Sequence, residues 1–132
     1  MYLKSVDHIS IVVSNLEENI KFYRDILGFS ISKEFYDEKE KAKIVFLNTG
    51  NTMLELIAPD KPVKEGLLPH WKERKSATIE HIAFAVDNIE ETVNYLKSKG
   101  VEFILGPIDS PGVAYGYFKG PDGILLEIIK WR

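Results

Sequence analysis

The sequence contains no cysteine and only three histidines in 132 residues. Without cysteine there is no disulfide, no thiolate zinc site, no iron–sulfur cluster and no cysteine nucleophile. Any metal must be held by nitrogen and oxygen alone, and few imidazoles are available for it. A surplus of one charge is lacking too: 17 basic residues face 20 acidic ones, for a net charge of −3. Nucleic acid is therefore not an expected partner, because phosphate neutralisation needs a basic face. No apolar run approaches the ~20 residues of a membrane span, so no membrane partner is expected. The N-terminal segment MYLKSVDHISIVV reads as a strand and not as a signal peptide, which makes the cytoplasm the expected compartment. The remaining composition, 45% hydrophobic and 28% charged, is that of an ordinary globular domain. The length suits one domain, 1–132.

An internal repeat is present. DHISIVVSNLEENIKFY at 7–23 lies over EHIAFAVDNIEETVNYL at 80–96. His8 falls on His81, Val13 on Val86, Asn15 on Asn88, and Glu17 and Glu18 on Glu90 and Glu91. TMLELI at 52–57 likewise lies over ILLEII at 124–129, with Glu55 on Glu127. Gly28 aligns with Gly100 only if the spacing changes by a single residue, between Tyr23 and Gly28. Such self-similarity marks a chain built from repeated supersecondary units.

Each copy reads as strand, helix and three strands. HISIVV alternates and is rich in β-branched residues. Ser14 or Asn15 then offers a helix N-cap, with a glutamate three residues on, and Asp87 or Asn88 does the same in the second copy. Leu16, Ile20, Tyr23 and Leu27 form one helical stripe, and Ile89, Val93 and Leu96 another. Gly28 and Gly100 stop the helices. Strands are expected at 29–36, 43–49 and 52–58, and again at 101–105, 113–119 and 124–130. The fold class is thus α+β, with two βαβββ modules in tandem: module one 1–58, a linker 59–78, and module two 79–132. Leu67, Leu68 and Trp71 suit a short packed helix inside the linker. The Gly- and Pro-rich stretch 106–116 reads as a loop, either covering a binding site or lying plainly on the surface.

The repeat directs attention to four polar residues. Glu55 shares a strand face with Met53 and Ile57, and Glu127 with Leu125 and Ile129. A carboxylate among apolar neighbours is costly to desolvate unless something compensates it. His8 shares its face with Ser10, and His81 with Ala83 and Ala85, small neighbours that leave room for a ligand. A lone strand histidine is ordinarily structural, and a lone strand glutamate ordinarily faces solvent. Matched pairs of each point instead to a metal held by His8, Glu55, His81 and Glu127. Imidazole with carboxylate suits Zn²⁺, Ni²⁺, Co²⁺, Fe²⁺ or Mn²⁺. His70 has no match in the other copy and reads as a surface residue.

On DHISIVVSNLEENIKFYRDILGF, LELIAP, HIAFAVDNIEETVNYLKSKGV and FKGPDGILLEI, the sequence resembles the vicinal oxygen chelate superfamily. That group includes glyoxalase I, methylmalonyl-CoA epimerase, extradiol dioxygenases and the fosfomycin and bleomycin resistance proteins. The resemblance implies an open, cupped sheet of paired βαβββ modules, the glyoxalase/bleomycin resistance fold. It implies metal ligands at His8, Glu55, His81 and Glu127, with Ni²⁺ or Zn²⁺ foremost, and Lewis-acid chemistry on a small-molecule substrate. It also implies a homodimer. In some members the ligands come from two chains, which would bring His8 and Glu55 of one to His81 and Glu127 of the other.

The four-ligand set most resembles glyoxalase I, the lactoylglutathione lyase that isomerises a thiol–methylglyoxal hemithioacetal through a metal-bound enediolate. In that likeness Glu127 is the catalytic base and Glu55 its near-symmetric counterpart. Two positions depart from the glutathione-dependent pattern: Val12 stands in place of an arginine and Pro59 in place of an asparagine. A different thiol or a different substrate is then open. The alternative likeness is to a methylmalonyl-CoA epimerase, in which Lys61, Lys64, Lys72 and Lys75 either meet a CoA phosphate or form a solvated surface. A drug-binding resistance protein, which needs no set of four ligands, is a second alternative. Dioxygenase chemistry fits less well, since it uses two histidines, one carboxylate and open positions.

Overall fold

The computed structural model describes residues 2–64 and 77–132. The chain divides into two compact units, Met1–Glu65 and Gly66–Arg132, each holding one βαβββ module. The short helix expected around Leu67, Leu68 and Trp71, together with His70, Lys72 and Lys75, lies outside the described residues.

In the first unit, β1 (His8–Val12) is followed by α1 (Leu16–Ile20), β2 (Ser30–Asp37), β3 (Ala42–Asn48) and β4 (Met53–Pro59). The sheet order is β1-β4-β3-β2. β1 runs parallel to β4, and the other pairs are antiparallel. α1 packs on β4. Leu47, Leu54 and Leu56 are buried, as are Val13 and Tyr23. Alternation therefore turns the other face of β4, with Met53, Glu55 and Ile57, away from this core.

The second unit repeats the plan with β5 (Ile82–Ala85), α2 (Ile89–Ser98), β6 (Phe103–Asp109), β7 (Val113–Lys119) and β8 (Leu125–Trp131). The order is β5-β8-β7-β6, with β5 parallel to β8. α2 packs on β6, β7 and β8. Val93 and Leu96 of α2 are buried, as are Ala114, Phe118, Leu126 and Ile128 of the strands.

Of the alternative caps, the structure selects the asparagines. The Asn15 side chain accepts the Glu18 backbone N–H at 3.0 Å, and Asn88 accepts that of Glu91 at 2.9 Å. Each answers one of the donors that a helix N-terminus leaves unpaired. Asn88→Ala is expected to lower the unfolding free energy by about 1 kcal/mol, and Asn88→Gly by only a few tenths. Urea titration of the two variants checks this.

The one-residue difference between the copies has a physical location. After Ile20 the first helix continues as a π-helical turn, Lys21–Ile26, whose Leu27 N–H reaches Phe22 C=O at 3.0 Å. That i→i+5 bond takes up an extra residue without breaking the helix, whereas α2 carries no such turn. The wider turn also alters the buried face. Asn19, Phe22 and Tyr23 are buried, while Leu16, Ile20 and Leu27 of the expected stripe are only half-buried. In α2 the expected Ile89, Val93 and Leu96 are all buried.

Two expectations need correction. Pro59 does not open the linker; it is the last residue of β4, opposite Ala42. The stretch 106–116 is not a loop, because β6 continues to Asp109 and β7 begins at Val113. Gly106, with φ of +85°, sits within a register shift between Leu105 and Ile108, so the strand bulges and resumes. Gly116 marks a close approach and not a turn: a Cβ there would stand 3.0 Å from the Phe103 ring.

Candidate metal centre

In module one, His8 opens β1, and Asp7 before it lies 2.8 Å from the ring Nδ1. The other ring nitrogen, Nε2, lies 3.5 Å from Glu55 Oε1 on β4. Parallel pairing sets Ser10 directly opposite Glu55 on one side, and antiparallel pairing sets Phe46 opposite it on the other. The Ser10 hydroxyl donates to Glu55 Oε1 at 2.5 Å. Phe46 meets the His8 ring edge-on at 5.2 Å and stacks with Phe35 at 6.4 Å.

Module two repeats this with different side chains. His81 immediately precedes β5, with its Nδ1 3.1 Å from Glu80 Oε1 and its Nε2 3.0 Å from Glu127 Oε1 on β8. Ala83 and Tyr117 occupy the positions flanking Glu127. Tyr117 lies edge-on to the His81 ring at 5.2 Å and packs against Tyr115 at 5.9 Å. Burial, the negative charge of Glu127 and a hydrogen bond to that carboxylate push the Tyr117 phenol up to about 12, with Glu80 and Tyr115 adding to the shift. Tyr117 therefore stays a protonated donor across the ordinary pH range. Ser10, Ala83 and Ala85 are exposed, so the face carrying the histidines is open beside them.

The chemistry of each pair fits a cation. The Glu127 side chain is 8% exposed and that of Glu55 16%, and among the described residues the ion-pair partner of each is a histidine. An imidazole whose Nδ1 proton is given to a carboxylate presents a lone pair at Nε2. Each ring stands between two carboxylates, so in either neutral tautomer one nitrogen lone pair meets a carboxylate oxygen, a place for a cation. Carboxylates that hold the far nitrogen of a ligating histidine are the usual outer partners of metal sites. Two ligands about 2.1 Å from one ion stand roughly 3.0–3.4 Å apart in octahedral or tetrahedral geometry. The His81–Glu127 separation of 3.0 Å falls in that range, and the His8–Glu55 separation of 3.5 Å lies just above it.

The structure thus brings His8 to Glu55 and His81 to Glu127, each pair within its own module. Among the described residues no group of three or more His, Cys, Asp or Glu that could hold a metal ion is formed. Lys61 and Lys64 are exposed. Sequence reasoning did not single out Asp7, Glu80, Phe46 and Tyr117, and it read Ser10 only as a small neighbour that leaves room, whereas its hydroxyl donates to Glu55. The first two carry a signal, since an acidic residue precedes the histidine in both copies. Phe46 and Tyr117 become neighbours of the glutamates only through cross-strand register. Among the described residues no helix is long and apolar enough to cross a membrane.

Comparison with known proteins gives a consistent result. The sequence model of the Glyoxalase/Bleomycin resistance protein/Dioxygenase superfamily matches residues 5–128. Mitochondrial methylmalonyl-CoA epimerase from Homo sapiens is 33% identical over 96% of this chain and 73% of its own length. Lactoylglutathione lyase from Schizosaccharomyces pombe is 25% identical over 95% of this chain and 47% of its own. The solved structure of a glyoxalase family protein from Enterococcus faecalis superposes with a TM-score of 0.79 at 29% identity, covering 98% of this chain and 100% of that one.

Proposed function

We propose, from the premise that this chain belongs to the glyoxalase/bleomycin resistance protein/dioxygenase superfamily, that it is a metal-dependent isomerase that moves a proton at a carbon next to a carbonyl. The observation that carries this reading is the desolvated Glu127 carboxylate against His81 Nε2, repeated by Glu55 and His8. His8, Glu55, His81 and Glu127 are the metal ligands, one pair from each module, and the ion is Ni²⁺, Zn²⁺ or a related divalent metal. When bound, the cation supplies Lewis-acid stabilisation of the negative charge that develops on a substrate oxygen. Asp7 and Glu80 hold the histidine rings so that each Nε2 faces the glutamate of its own module. Glu127 takes the proton from one face of the carbon, and Glu55, its counterpart, delivers a proton to the other face. Glu127 is assigned as the base because its side chain is the more buried of the two.

The preferred substrate is a 2-branched acyl-CoA, epimerised by removing the α-proton from one face and restoring it to the other. The 33% identity to the human epimerase supports this choice, and so do Val12 and Pro59 in place of the residues that glutathione-dependent members carry. Phe35, Phe46, Tyr115 and Tyr117 offer apolar contact on the same sheet faces. The test is deuterium exchange from D₂O into the α-carbon of a 2-methyl-branched acyl-CoA with Co²⁺- or Ni²⁺-loaded protein. Rapid exchange that EDTA abolishes is expected, and exchange no faster than with metal-stripped protein would refute the reading.

A second reading, isomerisation of a thiol–methylglyoxal hemithioacetal, is favoured by the matched second carboxylate, Glu55, and by the 25% identity to the fission yeast lyase. Hemithioacetal turnover without α-proton exchange on the acyl-CoA would select it. A chain that binds metal but catalyses neither reaction would be a binding protein. Assembly as a homodimer belongs to the same proposal, since β1, β2, β5 and β6 are edge strands of their own sheets and free edges call for covering. Sedimentation velocity checks it.

A further inference from the structure

Each of the two carboxylates has one hydroxyl-bearing residue at a flanking position, but on opposite sides. Glu55 accepts from Ser10 on β1 at 2.5 Å, and its other flanking position holds Phe46, which has no donor. Glu127 has Tyr117 on β7 directly opposite it, the phenol close enough for the carboxylate to raise its pKa, and its other flanking position holds Ala83, which has no donor. The two modules therefore carry complementary pairs at equivalent positions: Ser10 with Phe46, and Ala83 with Tyr117. An ionised carboxylate only accepts hydrogen bonds, and a hydroxyl donated to one oxygen fixes its rotation. Bonds of this kind, O–H to a charged oxygen at 2.5–2.7 Å, are among the strong ones.

We infer that Ser10 and Tyr117 are positioning residues that orient the metal-binding carboxylates, and that one hydroxyl per carboxylate is what the site requires, whichever strand delivers it. This rests on the metal reading above. Ser10 is exposed and its hydroxyl has no part in the core, so its service to Glu55 is separable from folding. A purely structural role for Ser10 would be satisfied by any small residue. A positioning role demands a donor, and register says where a substitute donor must stand: at Phe46, the position equivalent to Tyr117.

The test is the equilibrium affinity of the full-length chain for Co²⁺, measured by competition with a chromophoric chelator, together with the Co²⁺ visible absorption spectrum. Ser10→Ala is expected to weaken Co²⁺ binding at least about tenfold, the usual scale for losing an outer partner of a ligand, and to shift the spectrum. Adding Phe46→Tyr to Ser10→Ala is expected to recover most of the lost affinity. Ser10→Thr, which keeps the hydroxyl, is expected to remain near wild type. Unchanged affinity in Ser10→Ala, or a double variant no better than the single one, would overturn the inference while leaving the metal reading intact. Wild-type protein that binds no Co²⁺ would overturn the metal reading and this inference with it.

Discussion

Glu127→Gln is expected to lower the rate of α-proton exchange by about 10³-fold, within the range that a general base contributes. The substitution is nearly isosteric. It leaves an amide oxygen facing His81 Nε2, where the carboxylate oxygen stands at 3.0 Å. It also leaves an acceptor for the Tyr117 hydroxyl. What it removes is the negative charge and the capacity to take a proton. The side chain lies on β8 between buried Leu126 and Ile128, so the backbone that carries it has little freedom to adjust. The loss should therefore appear in turnover, beyond any loss of metal affinity, and saturating metal should not restore it. Glu55→Gln serves as the control. On the proposed division of roles it weakens metal binding, yet it retains far more exchange activity than Glu127→Gln once metal is saturating. Equal losses at saturating metal would make the two carboxylates interchangeable bases, and undiminished exchange in Glu127→Gln would remove it from the chemistry.

The features visible in the sequence are those that depend on short-range pattern. The duplicated strand–helix segment, a cap at Ser14 or Asn15 and at Asp87 or Asn88, and the Ile89–Val93–Leu96 stripe follow from spacing along one element; the segment and stripe are present, and of each pair of caps the structure uses the asparagine. The one-residue difference between the copies was visible as well. Its form, a π-helical turn that carries the buried Phe22 and Tyr23, was not, because a helical stripe assumes a uniform period. The Gly- and Pro-rich stretch misled because glycine has two uses. At Gly106 it permits positive φ inside a bulge, and at Gly116 it lets the Phe103 ring lie against the backbone. Neither use ends a strand. The His–Glu pairing within each module was legible through the repeat. The partners that complete each half, Ser10 beside Glu55 and Tyr117 beside Glu127, depend on which residues face each other across strands. Register of that kind comes from the folded sheet and not from the order of residues.

The second large effect expected is on stability. Co²⁺ or Zn²⁺ at a thousandfold excess over its dissociation constant should add about 4 kcal/mol to the unfolding free energy. For a domain of this size that corresponds to a rise in Tm on the order of ten degrees. The physical source lies in the His–Glu contacts: a cation is bound by His81 Nε2 and Glu127 Oε1, and by His8 and Glu55, only where folding brings each pair together. The size of the gain also depends on the unfolded chain, since any metal it binds subtracts from the increment. Here the composition favours the full effect. With no cysteine and three histidines, the unfolded chain has few groups with which to compete. His81→Ala should abolish most of the metal-induced shift; because it also removes the ion-pair partner of buried Glu127, the metal-free variant should itself lose stability, and the shift is read against the variant's own scan in EDTA. Calorimetric scans with EDTA, with excess Co²⁺ and with the His81→Ala variant measure all three quantities. A wild-type Tm unmoved by metal, or a shift that persists undiminished in His81→Ala, would show that the paired histidines and glutamates are not where the ion binds.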